Sequence, residues 1–207
     1  FTAVAERDEE RRERFIQDYG IRRDHAFSDW RELVARPRLA DAALIALPCH
    51  LHYSSTLAAL DAGYHVLLEK PMAQSAGECL HLARKAQEAQ RILMVALQCR
   101  YNDIYTEITQ MLRSNRIGQV MNIDCSEDIG YWHFIMSYVR GMHSRSRESH
   151  SFLLAKGIHD MDLINWFAGA CATRVSSFGS LSFFNQEHAP AGAPERCTDG
   201  CPVQDRC

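Results

Sequence analysis

Apolar runs and amphipathic stretches take turns along the first hundred residues. Residues 1–5 read as a strand, and "ERDEERRERFIQDYG" as a helix with a solvated, charged face that Gly20 stops. "DWRELVARP" reads as a short helix, "DAALIALP" as a strand closed by Pro48, and "LHYSSTLAALDAG" as a helix ended by Gly63. "YHVLLE" follows as a strand, "SAGECLHLARKAQEAQ" as a helix capped by Ser75, and "ILMVAL" as a strand. Alternation at this spacing predicts βαβ units and a parallel sheet. Three of the four strands lack polar alternation, the pattern of strands covered by helices on both faces. Residues 1–100 are therefore expected to be one doubly wound α/β domain.

Beyond residue 100 the pattern changes. A helix is expected at about 103–114, a strand over "QVMNIDCSED", a polar and aromatic stretch through "YWHFIMSYVRGMHSRSRESH", and a helix over "HDMDLINWFAG". "RVSSFGSLSFF" then alternates as a strand does and runs into a loop rich in Pro, Gly and Ala. Residues 101–207 read as a second, α+β domain. There is no internal repeat.

Composition narrows the function classes. The 207 residues are 46% apolar and 24% charged, an ordinary globular mixture. Lys and Arg number 23 against 26 for Asp and Glu, which leaves no basic excess for a nucleic-acid backbone. No apolar stretch reaches the roughly 18 residues of a membrane span, and the N-terminus turns charged too early for a signal peptide. A cytoplasmic protein without nucleic-acid or membrane partners is expected. Of eight cysteines, Cys49, Cys79, Cys99, Cys125 and Cys171 stand singly among apolar neighbours, as reduced cysteines do. The remaining three, Cys197, Cys201 and Cys207, sit in "CTDGCPVQDRC" with three and five intervening residues. Common zinc sites are spaced differently, so free loop thiols are the reading and a structural metal the alternative.

The chemistry gathers where the strands end. "HVLLEKPMA" follows a buried strand with Glu69, Lys70 and Pro71, and "ALIALPCHLH" closes another on Pro48, Cys49, His50 and His52. Ligands of open α/β sheets bind beyond the carboxyl ends of the strands, where these groups stand. The alternative for Glu69 and Lys70 is a surface ion pair that only caps the strand.

These residues resemble a family. "ALPCHLHYSSTLAALDAGYHVLLEKPMA" is similar to the signature of the Gfo/Idh/MocA oxidoreductases: a Pro-x-x-x-His turn, a helix, a Gly-x-His-Val strand and Glu-Lys-Pro. "KGIHDMDLINWFAG" resembles the family's second signature, and "NRIGQVMNI" the entry to its second domain. The resemblance spans residues 1 to about 185. It implies a Rossmann-like NAD-binding domain followed by a domain with a large, mostly antiparallel sheet. It also implies hydride transfer between a nicotinamide cofactor and a sugar or cyclitol hydroxyl, and a homo-oligomer formed through the second sheet. Two alternatives on the same fold stay open: a non-catalytic ligand sensor, and an NAD-using glycosidase.

The resemblance also assigns residues. Lys70 is similar to the family lysine that holds or deprotonates the substrate hydroxyl, a task that needs its pKa lowered by desolvation or nearby positive charge. His159 is the other candidate base, with Asp162 three residues on as the group that orients it. Pro48, His52, Glu69, Lys70 and Gln98 are expected around the cofactor. Glu6, at the end of the first strand, stands where an acid holds the adenine ribose 2′-hydroxyl and repels a 2′-phosphate, which favours NAD and leaves NADP as the alternative. Many relatives carry an aspartate four residues before the histidine; Ala155 stands there, and Lys156 is expected to take over part of its role. Arg140, His143, Arg145 and Asp160 are candidate substrate donors and acceptors, a solvated basic loop being the alternative for the first three. No Gly-x-Gly-x-x-Gly turn is present. The chain therefore reads as a piece lacking the main phosphate seat, the first strand and the C-terminal end.

Overall fold

The computed structural model describes residues 1–141, 143–144, 150–196 and 198–206. By packing, residues 1–170 form one compact unit and 171–207 another.

In the first unit, β1 (Val4–Ala5) pairs in parallel with β2 (Ala26–Phe27). A second parallel sheet has the order β3 (Ala42–Ile45), β4 (His65–Leu68), β5 (Leu93–Val95). The four strands expected within residues 1–100 are all present, and β2 is added: two residues carry too little pattern to be read. The helices between them are α1 (Glu9–Tyr19), α2 (Trp30–Val34), α3 (His52–Asp61) and α4 (Ala76–Glu88). Their ends follow the side chains that were expected to set them. Asp8 accepts from the Arg11 amide at the start of α1 and Ser75 from the Glu78 amide at the start of α4. Gly20 closes α1 at φ +64°, a left-handed conformation that glycine adopts without a Cβ clash.

The core lies between the β3–β4–β5 sheet and α3 and α4. It holds Ile45, Ala59, Leu60, Tyr64, Val66, Leu68 and Ala86. Val66 and Leu68 point into it, whereas Leu67 points the other way. On that opposite face Leu44, Leu67 and Met94 lie side by side in register and are exposed. The expectation of helices on both faces is thus met on one face only among the described residues. Between β1 and β3 a cavity of about 810 Å³ separates the two sheets, lined mainly by apolar groups such as Val4, Leu33, Leu44 and Ile45.

The remainder of this unit is helical. It comprises α5 (Asp103–Arg113), α6 (Tyr131–Phe134) leading into a π-helical turn at Ile135–Val139, α7 (Phe152–Ala155) and α8 (Gly157–Ala168). Among the described residues no strand follows β5. Residues 119–128 and 174–184, read as strands, run without ladder partners. A period-two pattern proposes a strand, but only a neighbouring strand supplies the hydrogen bonds that make one. The second unit contains 3-10 turns at Gln186–His188 and Gln204–Arg206, with Asn185 capping the first. Cys201 is buried there, while Cys197 and Cys207 lie outside the described residues. Among the described residues no three His, Cys, Asp or Glu side chains form a metal-ligating group, and no helix is long and apolar enough to cross a membrane.

Candidate active site

The end of β4 is built by backbone pairing and one buried imidazole. Glu69 N–H donates to Ile45 O at 2.9 Å, which extends the ladder one residue past the strand. His52, 1% exposed, places Nδ1 2.7 Å from Pro71 O and Nε2 2.7 Å from Leu47 O. It therefore staples the turn after β3 to the turn after β4. Expected at the cofactor, His52 lines the site cavity, and both of its ring nitrogens face backbone carbonyls, one of them in the turn that carries Lys70. Pro48, exposed, opens the same turn, its carbonyl accepting from Leu51 N–H at 2.8 Å.

From that turn Lys70 reaches across to the helical part and donates from Nζ to Ala155 O at 3.0 Å. A backbone carbonyl of α7 thus meets the ammonium at the position where an aspartate was expected from the resemblance. Glu69 stays exposed and accepts from the Lys70 amide through Oε2 at 3.1 Å. Lys70, Glu69 and Lys156 line one cavity of about 260 Å³ together with Cys49, Tyr138, His143 and His150. Burial pushes the Cys49 thiol and the Tyr138 hydroxyl up and holds His143 below the ordinary imidazole range. Burial, reinforced by His143, lowers His150 to about 4. At neutral pH Cys49, Tyr138, His143 and His150 are therefore uncharged hydrogen-bonding groups of the wall. The Cys49 thiol and His150 Nε2 lie 3.6 Å apart, a neutral pair rather than a thiolate and an imidazolium.

His159 sits in the first turn of α8, half-buried. Gln98 Nε2 lies 3.4 Å from His159 Nε2, and Nδ1 is buried without a hydrogen-bond partner. Burial first and then the charge of Lys70 depress its proton affinity, with Lys156 adding to the effect. The β4 end and the start of α8 are thus close enough for one charge to be felt by the other. Asp162 does not orient His159, contrary to expectation. Its carboxylate takes both Nε and Nη2 of Arg100 at 2.7 Å, because an Arg fork offers two parallel donors where an imidazole offers one. Asp160 accepts from the Cys125 thiol at 3.5 Å and pairs with Glu127, whose carboxyl is raised by burial and by that contact.

Of the expected substrate donors, His143 lines the cavity; Arg140 is exposed and outside its wall; Arg145 lies outside the described residues. Glu6 lies apart from this cluster. Its backbone N–H extends the β1–β2 ladder to Phe27 O at 3.0 Å, its Oε1 accepts from Asp8 N–H at 2.9 Å, and it borders the larger cavity. Sequence reasoning missed Tyr138, His150, Arg100 and Glu127. Only for Arg100 was there a signal, its place two residues after Gln98 in the turn that follows β5.

Residues 1–97 match the family model described as an oxidoreductase family with an NAD-binding Rossmann fold, GFO_IDH_MocA. Over residues 1–97 the chain is thus similar to the Gfo/Idh/MocA oxidoreductases. The chain is similar to the putative oxidoreductase YteT of Bacillus subtilis, 25% identical over 171 residues, covering 81% of this chain and 40% of that protein. It is 35% identical over 121 residues to a D-xylose 1-dehydrogenase (NADP(+)) of Haloferax volcanii, covering 58% of this chain and 36% of the other. In fold it matches a scyllo-inositol dehydrogenase from Lactobacillus casei with bound NAD(H) and scyllo-inositol, with TM-score 0.67 and 23% identity over 82% of this chain and 48% of the other. The chain therefore spans about 40% of the length of the curated relatives it matches.

The described residues offer groups suited to the two ends of a dinucleotide but not to its middle. Glu6 at the end of β1 suits a ribose, and the ends of β4 and β5 bring Glu69, Lys70 and Gln98 together. For the pyrophosphate there is no cradle: α1 opens with Asp8, Glu9 and Glu10, which repel phosphate from a helix end that would otherwise attract it.

Proposed function

We propose that the whole protein is an NAD-dependent oxidoreductase that moves hydride between the nicotinamide and a hydroxyl-bearing carbon of a sugar or cyclitol. Residues 1–100 would supply the cofactor side and 101–207 the substrate side, with assembly into a homo-oligomer through a mostly antiparallel sheet of the second part. The observation that carries the reading is that Lys70 and Lys156 line one small polar cavity at the strand ends and that the charges of both bear on His159.

When bound, the nicotinamide ring takes the hydride from the carbinol carbon. The chain's own residues handle the proton and the oxygen. His159 is kept a neutral imidazole by burial and by the lysine charges, so its Nε2 lone pair can receive the hydroxyl proton in exchange for the long contact with Gln98. Lys70, fixed by the Ala155 carbonyl, holds the substrate oxygen and stabilises negative charge as it develops there. His143, His150 and Tyr138 suit the further hydroxyls of a polyol, because uncharged donors and acceptors bind hydroxyls without the desolvation cost of ions. Glu69 and Gln98 suit the nicotinamide ribose.

The test is absorbance at 340 nm with the whole protein, NAD and a panel of sugars and cyclitols. Turnover of at least one is expected. Sugar binding without nicotinamide reduction across the panel would replace the enzyme reading with that of a ligand sensor.

Glu6→Ala is expected to weaken NAD by about tenfold, the effect of losing one hydrogen bond to a charged group, and to narrow discrimination against NADP. Cofactor KM values for wild type and variant check this. A wild type that already prefers NADP would remove Glu6 from the ribose site.

A further inference from the structure

One 3-10 turn, Gln98–Tyr101, makes three contacts with a single stripe of α8. Gln98 reaches His159, Arg100 grips Asp162 through two bonds of 2.7 Å, and the Arg100 guanidinium lies 5.3 Å from the centre of the Trp166 ring. Positions 159, 162 and 166 follow one another at helical spacing, so the turn meets one face of the helix. The Asp162 side chain is 13% exposed and that of Arg100 42%. The carboxylate is thus the sequestered partner and depends on the guanidinium for its compensation.

We propose that Arg100 is a positioning residue for His159: by holding Asp162 it sets the height of α8 against Gln98 and withholds the Asp162 carboxylate from the imidazole. Two carboxylates stand near the ring on its own helix, Asp160 and Asp162. Each alone would favour an imidazolium, which could no longer accept a proton from substrate. Asp160 is occupied by Cys125 and Glu127. Asp162 is occupied by Arg100. So engaged, both carboxylates still favour protonation of His159, but burial and the Lys70 charge outweigh them, and Lys156, ahead of α8, adds to the opposition. Cys99, from the same turn as Arg100, is pushed up by burial and stays a neutral thiol. The ion pair therefore completes an arrangement in which the base stays neutral although acids flank it.

The catalytic consequence rests on the reading of His159 as the base; the test does not. The His159 pKa is measured in the whole protein by NMR of ring-labelled histidine, assigned with His159→Gln. In Arg100→Met the freed carboxylate, one helical turn away, should raise it by about one unit. In Asp162→Asn the freed guanidinium should lower it. In the double variant it should return close to the wild-type value. General loosening of α8 would move both single variants in the same direction, so opposite signs identify the electrostatic route. No rise in Arg100→Met, or a rise that persists in the double variant, overturns the proposal. If Arg100→Met does not fold, the absence of a fall in Asp162→Asn overturns it equally. Should the titration shift as expected while the acid limb of kcat/KM stays in place, Arg100 positions His159 and it is the assignment of His159 as base that fails.

Discussion

Lys70→Ala in the whole protein is expected to lower turnover by about a hundredfold or more, the usual loss when a positioned acid–base group is removed, while NAD affinity changes little. A hundredfold is about 2.7 kcal/mol of transition-state stabilisation. The expectation follows from the position of Nζ, which is held by the Ala155 carbonyl at the wall of the polar cavity and forms no described ion pair that would make it a structural residue. Loss of Lys70 frees one carbonyl at the cavity's edge, where water can replace it, so unfolding should be nearly unaffected. Steady-state kinetics with saturating sugar and NAD, together with a thermal melt, separate the effects. Turnover within a few-fold of wild type would take Lys70 out of the mechanism.

His52→Ala should be the most damaging single change for stability near the site, by about 3–5 kcal/mol. The ring is buried and holds two backbone carbonyls, those of Leu47 and Pro71, at 2.7 Å each. Alanine would remove the ring N–H that a carbonyl accepts from and open a cavity, and the two costs add. His52→Leu refills most of the volume but still abandons the carbonyls, so it should recover only part of the loss. Denaturant unfolding of the whole protein measures both variants. A cost below about 1 kcal/mol for His52→Ala would show that the two strand-end turns hold themselves, and the staple would lose its meaning. Because Pro71 follows Lys70 directly, His52→Leu should also lower turnover more than its stability loss explains.

These two residues divide what was legible from what was not. Lys70 stood out in the bare sequence because an apolar run that ends on charge and proline marks the carboxyl end of a parallel strand, where ligands bind. His52 stood out for the same reason and was assigned to a cofactor. Only the packing of α3 against the sheet turned it inward between two carbonyls. Asp162 shows the same limit: helical spacing correctly placed it on the face of His159, but Arg100, far away in the chain, claims its carboxylate.

Local order determined the alternation of strand and helix, the caps at Ser75 and Gly20, and the strand ends that present Glu69, Lys70 and Gln98, since each depends on neighbours within a few residues. Ladder partners decided that residues 119–128 and 174–184 stay unpaired here, because a strand's hydrogen bonds belong to another segment. Tertiary packing alone decided the charge state of the site. Burial and facing lysines keep His159, His143 and His150 neutral, and a fork from a distant turn takes the carboxylate that helical spacing sets beside His159. Coulomb energies and desolvation depend on distances through space, and no spacing along the chain encodes them.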